Sequence, residues 1–177
     1  MKIKEIIKLI KKRNSIANIC TGGVQWLGTV STLYLIGGSD EAAGTETLLH
    51  MYDIKPEKQS EITQVEECDT IDLSDITEYE TEAERIPFDI RYCGSWFIPY
   101  KTEEGILFMD EEYTKPLDLT RPSVHVRGRS DGTKYFAVKD GMLLVACIAS
   151  TNIVSSALQA DALEFYHQVQ LAERNNA

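Results

Sequence analysis

Carboxylates are the residues of this chain whose number and spacing could do chemistry. Residues 57–84 contain eleven of them and one cation, Lys58, so this acidic tract carries a charge of −10, equal to the net charge of all 177 residues. Asp69, Asp72 and Asp75 recur at every third position, but no D-x-[DN]-x-[DN]-G loop shapes them for calcium. We therefore predict no metal site in the tract.

A second chemistry open to this tract is the presentation of carboxylates to a partner's basic surface, in the way that a nucleic-acid backbone presents phosphates. A solvated face that only aids solubility is the simpler alternative. The hypothesis that we favour is a protein–protein contact surface. Its predicted residues are Glu66, Glu67, Asp69, Asp72, Asp75, Glu78, Glu80, Glu82 and Glu84.

Motifs for catalysis or cofactor binding are missing from the sequence. Nothing reads G-x-x-x-x-G-K-[ST] or G-x-S-x-G, and the three histidines form no H-E-x-x-H pattern. The four cysteines include no C-x-x-C pair, and two of them, Cys20 and Cys147, lie in apolar runs and are predicted to be buried. We predict no cofactor. An enzyme whose site is assembled from distant residues stays open as an alternative.

Two groups of cations raise the opposite possibility, contact with nucleic acid. One lies in the first thirteen residues and the other in the segment that follows residue 120. Each such cation at a phosphate would steepen the salt dependence of binding, whereas the overall negative charge opposes it, so DNA binding is expected at low salt only. The candidate nucleic-acid-binding residues are Lys4, Lys8, Lys11, Lys12, Arg127 and Arg129.

The elements that must position these residues follow from hydrophobic periodicity. Ile3, Ile6, Ile7 and Ile10 predict an amphipathic N-terminal helix over residues 2–13. Strand patterns and Gly-containing turns recur up to residue 149, with an edge strand at 62–66 and short helices at 45–52 and 111–114. Asp131-Gly132 predicts a hairpin with a type I′ turn. A long helix is predicted over 153–174.

These elements predict an α+β fold with a mainly antiparallel sheet, an N-terminal amphipathic helix, two short internal helices and a long C-terminal helix. The length suits one domain over residues 1–177, and we interpret 57–84 as a mobile acidic insertion within it. The longest apolar stretch, 142–149, is too short to cross a membrane, and lysines interrupt the apolar residues of the N-terminus. We therefore expect a cytoplasmic protein without membrane contact.

Three stretches carry a resemblance: Trp26-Leu27-Gly28 with Tyr34, residues 104–110 with 113–117, and residues 135–146. They resemble a group of small uncharacterised proteins of prophages and integrative elements of Gram-positive bacteria, which implies a genomic setting and no activity. The chain departs from that group at Thr29-Val30, where Asp-Gly is expected, and at Leu35, where proline is expected, so a tight polar turn is not expected there.

The order of elements also resembles a domain of the DNA sliding clamp, through the segment 113–117 and the strand 142–148. That resemblance implies a clamp-like fold that would have to form a homo-oligomer to make a ring. Our first hypothesis is a non-enzymatic accessory protein of a mobile element that acts on an unknown protein partner. The second is a clamp-like, DNA-associated replication factor.

Overall fold

A computed structural model describes residues 1–38, 42–66, 70–120 and 122–151, together with residues 164, 166–168 and 171. Three α-helices lie in this part of the chain: α1 (Ile3–Arg13), α2 (Thr45–Met51) and α3 (Pro56–Gln59), and a 3₁₀ helix spans Glu111–Thr114. The α+β class with mainly sheet is confirmed, as are the N-terminal helix and both predicted short helices. Most of the predicted C-terminal helix, 153–174, lies outside the described residues.

Twelve strands of the described chain form two sheets. The strands are β1 (Ser15–Thr21), β2 (Val24–Thr29), β3 (Thr32–Gly38), β4 (Thr63–Val65), β5 (Thr81–Glu82), β6 (Glu84–Arg85), β7 (Ile90–Tyr92), β8 (Ser95–Thr102), β9 (Gly105–Asp110), β10 (Ser123–Gly128), β11 (Lys134–Asp140) and β12 (Leu143–Ala149). The large sheet has the order β4-β1-β2-β3-β12-β11-β10-β5, and in the small sheet β8 pairs with β6, β7 and β9. Only β4 pairs in parallel among the described strands, next to β1, so the predicted edge strand is confirmed.

Helix α1 forms because its apolar residues fall on one face. Ile6, Ile7, Leu9 and Ile10 are buried. The helix ends at Asn14, whose φ of 48° is left-handed, a conformation that asparagine tolerates better than most residues do. Apolar burial on one face therefore docks this helix on its own domain.

Two of the predicted turns differ from expectation. The hairpin at residues 129–133 is present, but among its described residues only Gly132 has a positive φ, of 81°, so the turn is not type I′. Conversely, β2 and β3 do form a tight hairpin through Val30 and Ser31, where the departure from the pattern of the resembled group argued against a tight polar turn. The hydroxyls of Thr29 and Thr32 lie 3.0 Å apart across it, and the Ser31 amide donates to the Thr29 hydroxyl.

The large sheet is covered on both faces. Successive residues of its central strands point to opposite sides, so each strand contributes side chains to two separate clusters. In β11, Phe136 and Val138 face the main core, which includes α1, α2 and part of the small sheet. Tyr135 and Ala137 face the other way, into a smaller cluster with Trp26 and with Ile71 and Leu73 from the acidic tract. The acidic tract thus reaches this second face of the sheet.

Candidate functional site

Residues 70–82, which we call the strap, are fastened to the second face of the large sheet by Arg127. The side chain of Arg127 is 2% exposed, and its guanidinium donates five hydrogen bonds into the strap. Two reach Glu80 Oε2, from Nε at 2.9 Å and from Nη2 at 2.6 Å. The other three reach the carbonyl oxygens of Asp72, Ser74 and Asp75 at 2.9, 2.8 and 3.3 Å. One side chain therefore ties together four positions of the strap.

Glu80 is the internal counter-ion of this anchor. Its second carboxylate oxygen accepts from the ammonium of Lys139, which is 5% exposed on β11. Partial burial raises the pKa of Glu80, but hydrogen bonds from Lys139 and Arg127 and the charges of these two cations outweigh it and hold the pKa below its ordinary value. Glu80 is therefore an ionised, structural residue of the strap.

Two further contacts hold the strap against β11 and β12. The Tyr135 hydroxyl donates to the carbonyl of Asp72 at 3.1 Å and accepts from the amide of Asp72 at 3.0 Å. Burial raises the pKa of Tyr135, which keeps this donor protonated. Asp75 Oδ1 accepts from the amide of Leu144 at 2.9 Å.

The outer side of the strap displays charge and apolar area together. Asp72, Asp75, Glu78 and Glu82 are exposed. Between them, Ile76 is 61% exposed and Tyr79 is 84% exposed. Partial burial raises the pKa of Asp72, but hydrogen bonds from Ser74 and the nearby charge of Arg127 more than offset this and lower it. The surface is therefore anionic and held in a defined arrangement.

A cleft of about 670 Å³ lies between the strap and the β1–β2 hairpin. Apolar side chains of the sheet and of the strap form most of its lining, and three carboxylates, Glu66, Asp72 and Asp75, also line it. No lysine, arginine or histidine is among the described residues that line the cleft. The described residues that line the cleft are Ile19, Cys20, Thr21, Gly22, Val24, Trp26, Leu35, Glu66, Ile71, Asp72, Leu73, Ser74, Asp75, Leu143 and Leu144.

The structure separates the nine predicted partner-binding residues into groups. Glu66, Asp72 and Asp75 line the cleft, and Glu78 and Glu82 are exposed on the strap. Glu80 faces inward, so it is not available to a partner in this conformation. Glu84 accepts a hydrogen bond from the hydroxyl of Tyr166 at 2.8 Å. Glu67 and Asp69 lie outside the described residues.

The predicted nucleic-acid-binding cations do not form one surface. The structure corrects the prediction for Arg127, whose side chain is buried under the strap and is not available to a phosphate in this conformation. Arg129 is half-buried, with its guanidinium carbon 5.8 Å from the centre of the Tyr135 ring. DNA binding through Arg129 and through the four lysines of α1 stays a prediction.

Those four lysines are themselves divided. Lys8 pairs with Glu5 and Lys12 pairs with Glu112, each with 2.6 Å between nitrogen and oxygen. Lys4 and Lys11 are exposed on the outer side of the helix. A phosphate would thus compete with carboxylates of the protein for half of this set.

Sequence reasoning missed Arg127, Lys139 and Tyr135 as the residues that position the site. The available signal was the presence of two cations at strand positions whose alternation placed them beside Tyr135 on a buried face. The structure also corrects the prediction for Cys20, which is exposed and lines the cleft, whereas Cys147 is buried as predicted.

Two further properties of the described residues concern metal-ligand groups and membrane-spanning helices. These residues contain no group of three histidine, cysteine, aspartate or glutamate side chains placed to hold a metal ion. None of the helices in the described ranges has the length and apolar character needed to span a membrane. Comparison of the chain with protein-family models, with curated proteins and with solved structures gave no match.

Proposed function

We propose that this protein is a non-enzymatic binding module that captures a partner protein through the exposed carboxylates of the strap. The observation that supports this is the anchor formed by Arg127, Glu80 and Lys139. It holds four other carboxylates outward on a segment that would otherwise repel itself into an extended coil. Because the surface is ordered before binding, a partner does not bear the cost of ordering it.

The chemistry of the surface specifies the chemistry of the partner. Exposed carboxylates complement lysine and arginine, and exposed Tyr79 offers a face on which a guanidinium can stack. Charge of this kind speeds encounter and rejects acidic surfaces more than it adds affinity. The resemblance to proteins of prophages and integrative elements supports a role as an accessory protein of such an element, acting on a basic protein of its host.

The proposal is tested by removing the charges without removing the acceptors. In the variant D72N/D75N/E78Q/E82Q each carboxylate becomes an amide, so the oxygens that bind Ser74 and Leu144 are kept. The control E57Q/E61Q/E103Q/D140N makes the same change of +4 in charge at positions outside the strap.

Both variants and the natural chain are used to capture proteins from the lysate of a bacterial host that carries a mobile element. A basic protein retained by the natural chain and by the control, and lost with the strap variant, is the expected result. Equal retention by the strap variant and the control would contradict the proposal, and so would the absence of any retained protein.

A further inference from the structure

We infer that the cleft beside the strap is the anchor site for a partner segment in which an apolar side chain is flanked by lysine or arginine. This inference rests on the proposed function and adds to it the place and the sequence character of the segment that binds. Three features of the cleft support it: its lining, its charge and its position next to the exposed strap.

The lining specifies an apolar anchor. Trp26, Val24 and Leu35 line the cleft from the sheet, and Leu73 lines it from the strap. Trp26 is buried, at 3% exposure, whereas Leu143 is 47% exposed at the edge of the cleft. A cavity of about 670 Å³ falls in the size range of ligand sites, and apolar groups entering it remove Leu143 and its neighbours from water.

The carboxylates specify the residues beside that anchor. Glu66, Asp72 and Asp75 belong to the lining, and its described members include no cation to neutralise them. An apolar segment with acidic neighbours is therefore repelled, and one with basic neighbours is attracted. Specificity of this kind needs a repulsive element as well as an attractive one, and the three carboxylates supply both.

Continuity with the strap favours a polypeptide over a small molecule. Asp72 and Asp75 belong both to the cleft and to the exposed face of the strap, which continues to Glu78 and Glu82. The rim at Thr21 and Gly22 is exposed as well. A segment of several residues can place one apolar side chain in the cleft while its basic neighbours reach carboxylates on both sides, which a small molecule cannot do.

The chain provides a built-in reporter for this site. It has two tryptophans: Trp26 in the cleft, and Trp96 on β8 of the small sheet, 47% exposed. In the variant W96F the fluorescence therefore reports on the cleft alone. The probes are three blocked 12-residue peptides with alternating residues: leucine with lysine, serine with lysine, and leucine with glutamate.

We expect the leucine–lysine peptide to bind and to shift the emission of Trp26, with affinity falling as salt rises. Serine–lysine is expected to bind at least tenfold more weakly and to leave Trp26 unchanged, and leucine–glutamate is expected not to bind. Equal binding of the two lysine peptides would overturn the cleft as anchor but keep the acidic surface. Failure of both lysine peptides would count against the inference and the proposed function together.

Two substitutions on one hairpin test whether the peptide binds in the cleft. Leu143 and Met142 are neighbours, both exposed, and only Leu143 is among the residues that line the cleft. L143K is expected to weaken binding of the leucine–lysine peptide at least tenfold, whereas M142K changes it less than threefold. Equal effects of the two substitutions would place binding elsewhere and overturn the inference.

Discussion

Removing the charge of Glu80 gives the sharpest test of the anchor that organises the strap. In E80Q the side chain keeps its shape and one acceptor oxygen, but Arg127 and Lys139, at 2% and 5% exposure, lose the only carboxylate that pairs with either of them in the described structure. Breaking a buried ion pair from one side destabilises by about 3–5 kcal/mol, because the remaining charge is left uncompensated.

The matched variant K139M removes the other partner of Glu80. Both hydrogen bonds from Arg127 to Glu80 Oε2 stay intact in it, and no buried charge is left alone. The expected loss is that of one charged hydrogen bond, about 1.5–3 kcal/mol. E78Q, on the exposed side of the strap, is the surface control and is expected to stay within about 0.5 kcal/mol.

The assay has a global and a local readout. Urea unfolding gives the free energy of unfolding of each variant, and native-state hydrogen exchange reports on the strap itself. The useful amides are those of Asp72 and Leu144, which donate to Tyr135 and to Asp75. A loss of about 3 kcal/mol or more in strap opening corresponds to faster exchange by about a hundredfold or more at both amides.

The order of effects separates the contribution of charge from that of packing. The loss in the free energy of unfolding must be larger for E80Q than for K139M, and larger for K139M than for E78Q. If K139M destabilises as much as E80Q, uncompensated charge is not the main cause of the destabilisation. If E80Q behaves like E78Q, the strap is held by its apolar residues, and the anchor described above is not what displays the outer carboxylates.

Two further predictions concern pH and packing. Because the folded-state pKa of Glu80 lies below its ordinary value of 4.5, its contribution to stability is complete above that value and is lost as the pH falls through the lowered pKa. Urea unfolding from neutral pH down through the acidic range is expected to show this loss of unfolding free energy in the natural chain and a smaller loss in E80Q. Equal losses in the two proteins would contradict the prediction. A methyl group at Gly28 would lie 1.8 Å from the carbonyl oxygen of Thr32, so G28A is expected to destabilise the protein by about 1–3 kcal/mol. The control is G128A, whose new methyl group meets open space. Equal unfolding midpoints for the two variants would refute the close approach of β2 to β3.

Local features of the fold were accessible from the sequence because local physics determines them. The isoleucine spacing predicts α1, and Asp110 precedes a short helix and accepts from the amide of Glu112 at 2.9 Å. Pro56 shows the limit of such signals. No helix is predicted at this proline, yet it begins α3, since proline is suited to a first helical position.

Long-range features were not accessible in the same way. The pairing of β3 with β12, which sets Leu33 opposite Cys147, joins strands that lie far apart in the chain, and no local pattern specifies it. Glu80 illustrates the same limit within the candidate site. In sequence it resembles Glu78 and Glu82, and it is distinguished from them only by Arg127 and Lys139, 47 and 59 residues later.

That separation has a consequence for the growing chain. During synthesis the strap emerges before the strand that carries Arg127, and it has no internal cation among its thirteen residues. Mutual repulsion among its five carboxylates is expected to keep it solvated and apart from the apolar face on which it later lies. We therefore expect the residues that we propose as a binding surface in the folded protein to oppose aggregation of the nascent chain until the second half of the sheet has been synthesised.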